Sequence, residues 1–317
     1  MKYRVTVFLG AVCYGILSTI VKKAYGQGYT LGEVVGSQML TGFVLAWALV
    51  YFIKWRAGRK GYKAAVYKQP TWKHRVILML AGMPTAITGL LYYQSLKYIP
   101  NSLAILLLFQ FTWIGVLIHA IGQRRRPNGI MLGTLVVLLI GTVMAAGILE
   151  QGMSEFDWRG VVFGLLSAIS YSLFILLSGK AVPGVHPAKR SGWMITGGMI
   201  LVFVLFPPTF LFDGTLFGGL LPFGFALGLF GAFLPPVLFA IGVPHIGEGI
   251  AGILGAAELP VAVLLSSAVL HEHVSALQWT GVLVVLIGVA LPELIARRKL
   301  SGVLRLRQEQ AAVSDSN

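Results

Sequence analysis

Runs of about 20 apolar residues recur along the chain, and short polar segments separate them. A helix of that length crosses the hydrocarbon core of a bilayer. The pattern predicts ten transmembrane helices, at roughly 3–24, 32–53, 75–97, 100–122, 129–149, 158–180, 189–212, 217–242, 246–270 and 275–296. Only short loops, one longer loop and a tail remain, so we expect an all-α, multi-pass membrane protein without a soluble domain.

Composition agrees with this picture, because 56% of the 317 residues are hydrophobic and only 11% are charged. Soluble domains carry about 25% charged residues. The single cysteine, Cys13, lies inside the first predicted span, which excludes a disulfide within the chain and a multi-cysteine metal site. The N-terminus begins like a signal peptide but has no small-x-small cleavage pattern, so we expect it to be retained as the first helix.

The formal net charge of +14 would suggest a nucleic-acid partner in a soluble protein, but the basic residues follow the loops. With the N-terminus inside, 21 of the 25 Lys and Arg residues fall on the inner side, and the exceptions are Lys22, Lys23, Lys97 and Arg159. This bias predicts an N-in, C-in topology and no nucleic-acid binding. We expect the inner (plasma) membrane of a bacterium, with membrane lipids contacting the basic cluster at 54–75.

The chain carries a weak internal repeat. "AVCYG" and "AISYS" place Tyr14 and Tyr171 at an offset of 157, and "FQFTWIGVL" from Phe109 aligns with "AELPVAVLL" from Ala257 at an offset of 148. Each half has five spans, an odd number, so the second half must insert upside down. We therefore predict two inverted five-helix repeats (5+5) at 1–149 and 157–297, joined by an outer loop at 150–156 and followed by a cytoplasmic tail at 298–317.

Proline placement fits a transporter built from inverted repeats, whose substrate lies near the midplane where helices are broken. Pro84 is expected to interrupt the third span, Pro235 with Pro236 the eighth, and Pro260 the ninth. Each proline frees the carbonyl four residues earlier. Kinks that only shape helix packing are the alternative.

The two halves end in "QFTWIGVLIHAIGQRRRPNGIMLGTLVVLLIGTVMA" and "AELPVAVLLSSAVLHEHVSALQWTGVLVVLIGVAL". These ends and the duplicated order of elements resemble the EamA type of the drug/metabolite transporter superfamily, over residues 5 to 295. The resemblance implies a basket-shaped helical bundle with a central cavity, alternating access and movement of small metabolites or drugs, often outward.

The chain departs from the family pattern in both halves. Leu259 separates Glu258 from Pro260, where the family commonly has Glu directly before Pro. In the first half, Gln110 and Thr112 replace that pair, and Arg124 to Arg126 replace the usual acid of the hairpin. Coupling would therefore be asymmetric and would rest on Glu258.

Glu258 lies near the predicted midplane, where an ionised carboxylate costs about 2.5–3.5 kcal/mol on insertion scales. Such a residue suits proton coupling or reception of a cationic substrate. A neutral Glu258 that donates a hydrogen bond to the Ala256 carbonyl, as structural glue, is the alternative.

Five further polar or aromatic side chains are predicted to line a cavity with Glu258. Gln110 and Gln38 suit substrate hydrogen bonding, with interhelical glue as the alternative. The aromatic candidates suit a pocket wall, although membrane aromatics also serve packing and interfaces. These aromatic candidates are Tyr14, Tyr171 and Trp113.

Two patterns mimic other functions. "GEGIAG" from Gly247 matches G-x-G-x-x-G but follows no strand, so helix packing explains it better. "HEH" at His271 to His273 offers metal-type ligands without a converging geometry, so a solvated turn is expected. The sequence predicts no cofactor, no metal site and no enzyme activity.

The sequence leads to a secondary transporter that exports a small amphipathic or amino-acid-like metabolite or drug, driven by protons, as a monomer or a homodimer. An uncoupled facilitator or importer is the first alternative and predicts flux that ignores pH. A membrane scaffold or enzyme without transport is the second.

Overall fold

The computed structural model describes residues 2–60, 68–99, 101–123, 129–145, 157–270, 274–288 and 290–291. Every regular element in these ranges is helical, and no strand occurs among them. The prediction of an all-α protein is confirmed. The predicted outer loop at 150–156, the tail at 298–317, Arg124 to Arg126 and the "HEH" turn at 271–273 lie outside the described residues.

The first half consists of seven α-helices. They are α1 (Lys2–Gly15), α2 (Leu17–Gly26), α3 (Leu31–Lys60), α4 (Trp72–Ser95), α5 (Asn101–Phe109), α6 (Phe111–Gln123) and α7 (Gly129–Ala145). α1 and α2 are two pieces of the first predicted span, and α5 and α6 are two pieces of the fourth.

The second half begins with two long helices and continues in shorter pieces. They are α8 (Trp158–Lys180), α9 (Pro187–Leu205), a 3₁₀ turn (Thr209–Leu211), a π-helix (Leu216–Leu220), α10 (Leu221–Leu227), a second π-helix (Gly228–Phe233), α11 (Leu234–Ile246), α12 (Glu248–Gly255), α13 (Glu258–Leu270) and α14 (Ala276–Gly288).

Six helical segments in the described residues are long and apolar enough to cross a membrane. They are Lys2–Gly26, Leu31–Arg56, Trp72–Ser95, Trp158–Lys180, Leu216–Ile246 and Glu248–Val269. Three shorter apolar helices, Ala104–Gly115, Gly129–Ala145 and Ala276–Gly288, fall within the fourth, fifth and tenth predicted spans. The ten-span arrangement with its N-in, C-in orientation stays a prediction.

Glycines let the two halves approach at the backbone. A Cβ atom on Gly82 of α4 would overlap the Met194 carbonyl of α9, and one on Gly197 of α9 would overlap the Met79 carbonyl of α4. Small residues allow this close crossing, which maximises van der Waals contact between helices in lipid. α4 and α9 therefore form a close pair in the bundle and run in the same direction, with Arg75 lying over the Trp193 ring near their starts.

A second close crossing joins α3 to the π-helix at Gly228–Phe233. A Cβ atom on Gly42 would overlap the side chain of Ala232, and one on Gly228 would overlap that of Thr41. Under the predicted repeat, the second and eighth spans correspond to the seventh and third, which also cross closely. The two crossings are thus equivalent contacts of the kind that inverted halves would make.

Three spans are broken near their middle. α1 passes into α2 at Ile16, α5 into α6 at Gln110, and α12 into α13 at Ala256 and Ala257. The last two breaks coincide to within two residues under the predicted offset of 148, which aligned Gln110 with Glu258. Interrupted helices of this kind free backbone groups inside the bundle.

The prolines only partly coincide with the breaks. α4 continues through Pro84, contrary to the expected interruption, and the Pro84 carbonyl accepts hydrogen bonds from Thr88 Oγ1 at 2.7 Å and Ser170 Oγ at 2.9 Å. Pro235 and Pro236 follow the second π-helix, at the start of α11. Pro260 stands in the first turn of α13, where a missing N–H is tolerated because the span breaks just before it.

Candidate functional site

A small central cavity lies where the broken spans meet α3, α4 and α8. Its volume is about 50 Å³, which is room for a few water molecules. Five aromatic side chains line it, and they are Tyr14, Tyr92, Tyr93, Phe109 and Tyr171. Five further polar side chains complete its chemistry, and they are Ser18, Gln38, Thr85, Thr88 and Glu258.

Glu258 reaches the cavity because it is the first residue of α13, directly after a break. Gly15, at the end of α1, makes this position possible: a Cβ atom there would lie 2.5 Å from the Glu258 carbonyl oxygen and 2.7 Å from Val261 Cβ. The break of the first span thus packs against the break of the ninth.

The carboxyl group of Glu258 has an unused acceptor. Its Oε2 atom is buried and has no hydrogen-bond partner among the described residues. The Ala256 carbonyl, which could have accepted a bond from a protonated Glu258, instead accepts the backbone N–H of Leu259 at 3.3 Å. The carboxyl is therefore available to a proton, water or ligand in the cavity.

Tyr14 and Tyr171, which the predicted repeat pairs, meet at the cavity wall. Their rings lie 5.5 Å apart, edge to face, and Phe111 packs against Tyr171 at 4.4 Å. The hydroxyls of both tyrosines are buried without a hydrogen-bond partner in the described part of the chain. The Tyr171 hydroxyl lies beside the Glu258 carboxyl, close enough for the two groups to interact directly.

Gln38 of α3 is also buried at the cavity wall. Its Oε1 accepts a hydrogen bond from the Tyr93 hydroxyl at 3.3 Å. Its Nε2 occupies the space that a side chain at position 231 would fill, since a Cβ atom on Gly231 would lie 2.6 Å away. Gly231 therefore leaves room for the Gln38 amide beside the cavity.

Gln110 and Trp113 do not line this cavity, although the sequence predicted that they would. Gln110 Nε2 donates to the Leu106 carbonyl at 2.9 Å, and its Oε1 accepts from Trp113 Nε1 at 2.7 Å. Trp113 is 39% exposed on the outer face of α6. Gln110 thus satisfies the backbone at its own helix break, while Glu258 at the equivalent break faces the cavity.

Sequence analysis missed part of the wall, namely Tyr92, Tyr93, Phe109, Thr85 and Thr88. Residues 85, 88, 89 and 92 recur at helical spacing, so one polar-aromatic stripe on α4 faces the cavity. The stripe could have been found by that spacing. The leucines on the other faces of α4, such as Leu90 and Leu91, make the helix apolar on average, so the stripe is difficult to recognise in the sequence.

The end of α8 and the start of α12 hold a separate charged cluster. Lys180 Nζ at the end of α8 lies 3.6 Å from Glu248 Oε1 at the start of α12. The buried Arg190 donates from Nη2 to the Ser178 carbonyl at 2.5 Å, which satisfies the C-terminal end of α8. These contacts fix α8 against α9 and α12 away from the cavity.

No group of three or more potential metal ligands occurs among the residues that the structure describes. The cavity holds one carboxyl, amide and hydroxyl groups, and aromatic rings, a set that binds small organic molecules better than it binds a metal ion.

Comparison with known proteins extends these observations. Residues 158–292 match the model of the EamA-like transporter family. A solved structure titled "Crystal structure of protein" is similar in fold, with a TM-score of 0.68 and 18% sequence identity, over 94% of this chain and 98% of that chain. No curated protein matches the chain.

The structural match covers both halves and concerns the fold alone, whereas the family match concerns the sequence of the second half. Glu258 and Tyr171 lie inside the matched range. The match confirms the resemblance seen in the sequence: residues 158–292 are similar to the EamA-like transporter family, which is consistent with a member of the drug/metabolite transporter superfamily, and the long apolar helices agree with a multi-pass membrane transporter of small molecules.

Proposed function

We propose that the protein is a proton-coupled exporter of a small amphipathic metabolite or drug, working by alternating access around the central cavity. The observation that carries the proposal is the unpaired Oε2 of Glu258, the one carboxyl among the cavity-lining residues. A buried carboxyl is costly unless it is neutralised. Its retention at the meeting point of two helix breaks therefore favours a working role over structural glue.

Proton coupling follows from the alternatives open to that carboxyl. Desolvation disfavours its charged form, while contact with water or a cationic ligand favours it. The group therefore takes up and releases protons as the cavity opens to one side or the other. A cavity of about 50 Å³ admits no larger ligand until the helices move apart, as alternating access requires.

The pairs of close helix crossings support this motion. The α4–α9 crossing and the crossing of α3 with the second π-helix correspond under the predicted inverted repeat. Rocking of one half against the other around such equivalent contacts is how inverted-repeat transporters alternate. Tyr14, Tyr171 and Gln38 form the wall in this proposal, and Gln110 and Trp113 have no contact with substrate in the conformation seen here.

Flux in proteoliposomes tests the proposal. We expect uptake or efflux of at least one compound, from a panel of labelled amino acids and organic amines, to follow an imposed pH gradient in the wild type. Glu258→Gln keeps the size of the side chain and removes its exchangeable carboxyl proton, so the pH-gradient dependence should disappear in a protein that elutes and melts like the wild type.

Wild-type flux that ignores the gradient would instead favour the uncoupled facilitator. The same conclusion would follow if Glu258→Gln transported like the wild type. No flux of any compound in the panel, with folded protein, would leave the scaffold hypothesis standing.

A further inference from the structure

The ionisable groups around the cavity are of one sign. Glu258 is an acid, and no lysine, arginine or histidine lines the cavity among the described residues. The charged cluster of Lys180 and Glu248 belongs to helix ends outside it. A ligand in the cavity therefore meets one negative charge at most and no compensating positive side chain.

Aromatic rings make up much of the remaining wall. Tyr14 and Tyr171 stand edge to face at 5.5 Å beside Glu258, and Tyr92 and Tyr93 lie 5.9 Å apart on α4. The faces of aromatic rings carry negative partial charge and attract cations, above all alkylammonium groups, when water is excluded.

We infer that the cavity accepts a small organic cation that carries no carboxylate, that is, an amine or a quaternary ammonium compound. This inference rests on the proposed function and names the class of its substrate. Once the helices have moved apart to admit the ligand, Glu258 would hold its positive charge, and Tyr14, Tyr171, Tyr92 and Tyr93 would surround its alkyl groups. The unpaired Oε2 of Glu258 is the acceptor that such a ligand needs.

A zwitterion, such as an amino acid, fits the same wall poorly. Its carboxylate would enter a cavity that already contains Glu258 and offers no cationic side chain. The free hydroxyls of Tyr14 and Tyr171 each supply one donor, but they lie against Glu258, so the second negative charge would share them. Two like charges in a water-poor cavity repel strongly.

A neutral ligand of the same shape also fits poorly, because it would leave Glu258 buried without a partner. Three probes of similar shape separate these cases: choline, its neutral carbon isostere 3,3-dimethyl-1-butanol, and betaine, which adds a carboxylate to the trimethylammonium head. Binding to the purified full-length protein in nanodiscs, measured by calorimetry at pH 8, compares them without any need for transport.

Wild-type protein is expected to bind choline about tenfold or more tightly than either the isostere or betaine. Glu258→Gln should weaken choline binding by about tenfold and leave the isostere unchanged. Tyr171→Leu, which removes a ring face, should weaken choline binding as well. Trp113→Leu is the matched control, since it removes an exposed ring that does not line the cavity.

Equal binding of choline and the isostere, tighter binding of betaine, or unchanged choline binding by folded Glu258→Gln would overturn the inference. Proton-driven flux of a zwitterion or neutral compound, with no choline binding, would overturn the substrate class while the transport proposal stands. The expected choline binding without proton-driven choline flux would support the cation site. It would refute the proposal that this site serves proton-coupled transport.

Discussion

Gly82→Ala is expected to destabilise the protein by about 3 kcal/mol or more, at the upper end of the cost of overpacking a core. The added methyl group would overlap the Met194 carbonyl at the α4–α9 crossing. A backbone atom cannot turn aside as a side-chain end can, so the two helices must separate along their contact. Because the crossing joins the two halves, we expect a large fall in melting temperature in detergent and a loss of monodisperse protein.

Gly89→Ala provides the control on the same helix. A Cβ atom on Gly89 would meet nothing within 4 Å. Alanine is also the better helix former. This variant should be as stable as the wild type or more stable. If Gly82→Ala and Gly89→Ala have the same melting temperature, the close α4–α9 crossing is refuted.

Gly15→Ala is expected to reduce transport activity by at least about tenfold, because it displaces the Glu258 carboxyl. Its methyl group would lie 2.5 Å from the Glu258 carbonyl oxygen and 2.7 Å from Val261 Cβ. Relief requires the first turn of α13 to move away from α1, and Glu258 moves with it. Small displacements of a functional group cost orders of magnitude in activity, so the proton-driven flux measured for the wild type should be nearly lost.

Gly26→Ala, near the end of the same span, is the matched control, because a Cβ atom there has open space around it. It should transport like the wild type. Gly15→Ala with normal flux, in protein of normal stability, would show that the contact between the two helix breaks does not position Glu258.

Much of the candidate site could be predicted from the sequence, and the physical reason is different for each residue. Glu258 was identifiable because a carboxyl is costly in an apolar run, so its presence demands an explanation. Tyr14 and Tyr171 were identifiable through the repeat, and the structure places their rings in contact. Gln38 was a weaker choice that nevertheless lines the cavity.

The equivalence of Gln110 and Glu258 misled in one respect. The sequence offset aligned the two residues, and both lie at helix breaks in the structure, but the offset carried no information on rotation about the helix axis. Gln110, at the break, donates to a backbone carbonyl of α5, and Trp113 of α6 is exposed, whereas Glu258 at the start of α13 faces the cavity. Symmetry of sequence therefore predicted position along the helices better than it predicted which residues meet.

The prolines illustrate the same limit. Pro84 was expected to break the third span, yet α4 runs through it. Hydroxyl groups of Thr88 and Ser170 hydrogen-bond the Pro84 carbonyl, and the second of these comes from α8, far away in sequence. The break of the first span at Ile16 has no proline at all. It lies beside Gly15, whose packing against α13 becomes visible only when the helices are assembled.

The sequence by itself determined that the chain is an all-helical membrane protein, because length and apolarity of a segment decide its partition into lipid residue by residue. It also determined the EamA-like character of the second half, which local motifs carry. Only the tertiary structure decided which faces of the helices converge. In lipid, hydrophobicity does not distinguish the faces of an apolar helix, so close fit at glycines selects the contacts. That selection unites Glu258 with Tyr14, Tyr171, Tyr92 and Tyr93 around one cavity and leaves Gln110 and Trp113 outside it.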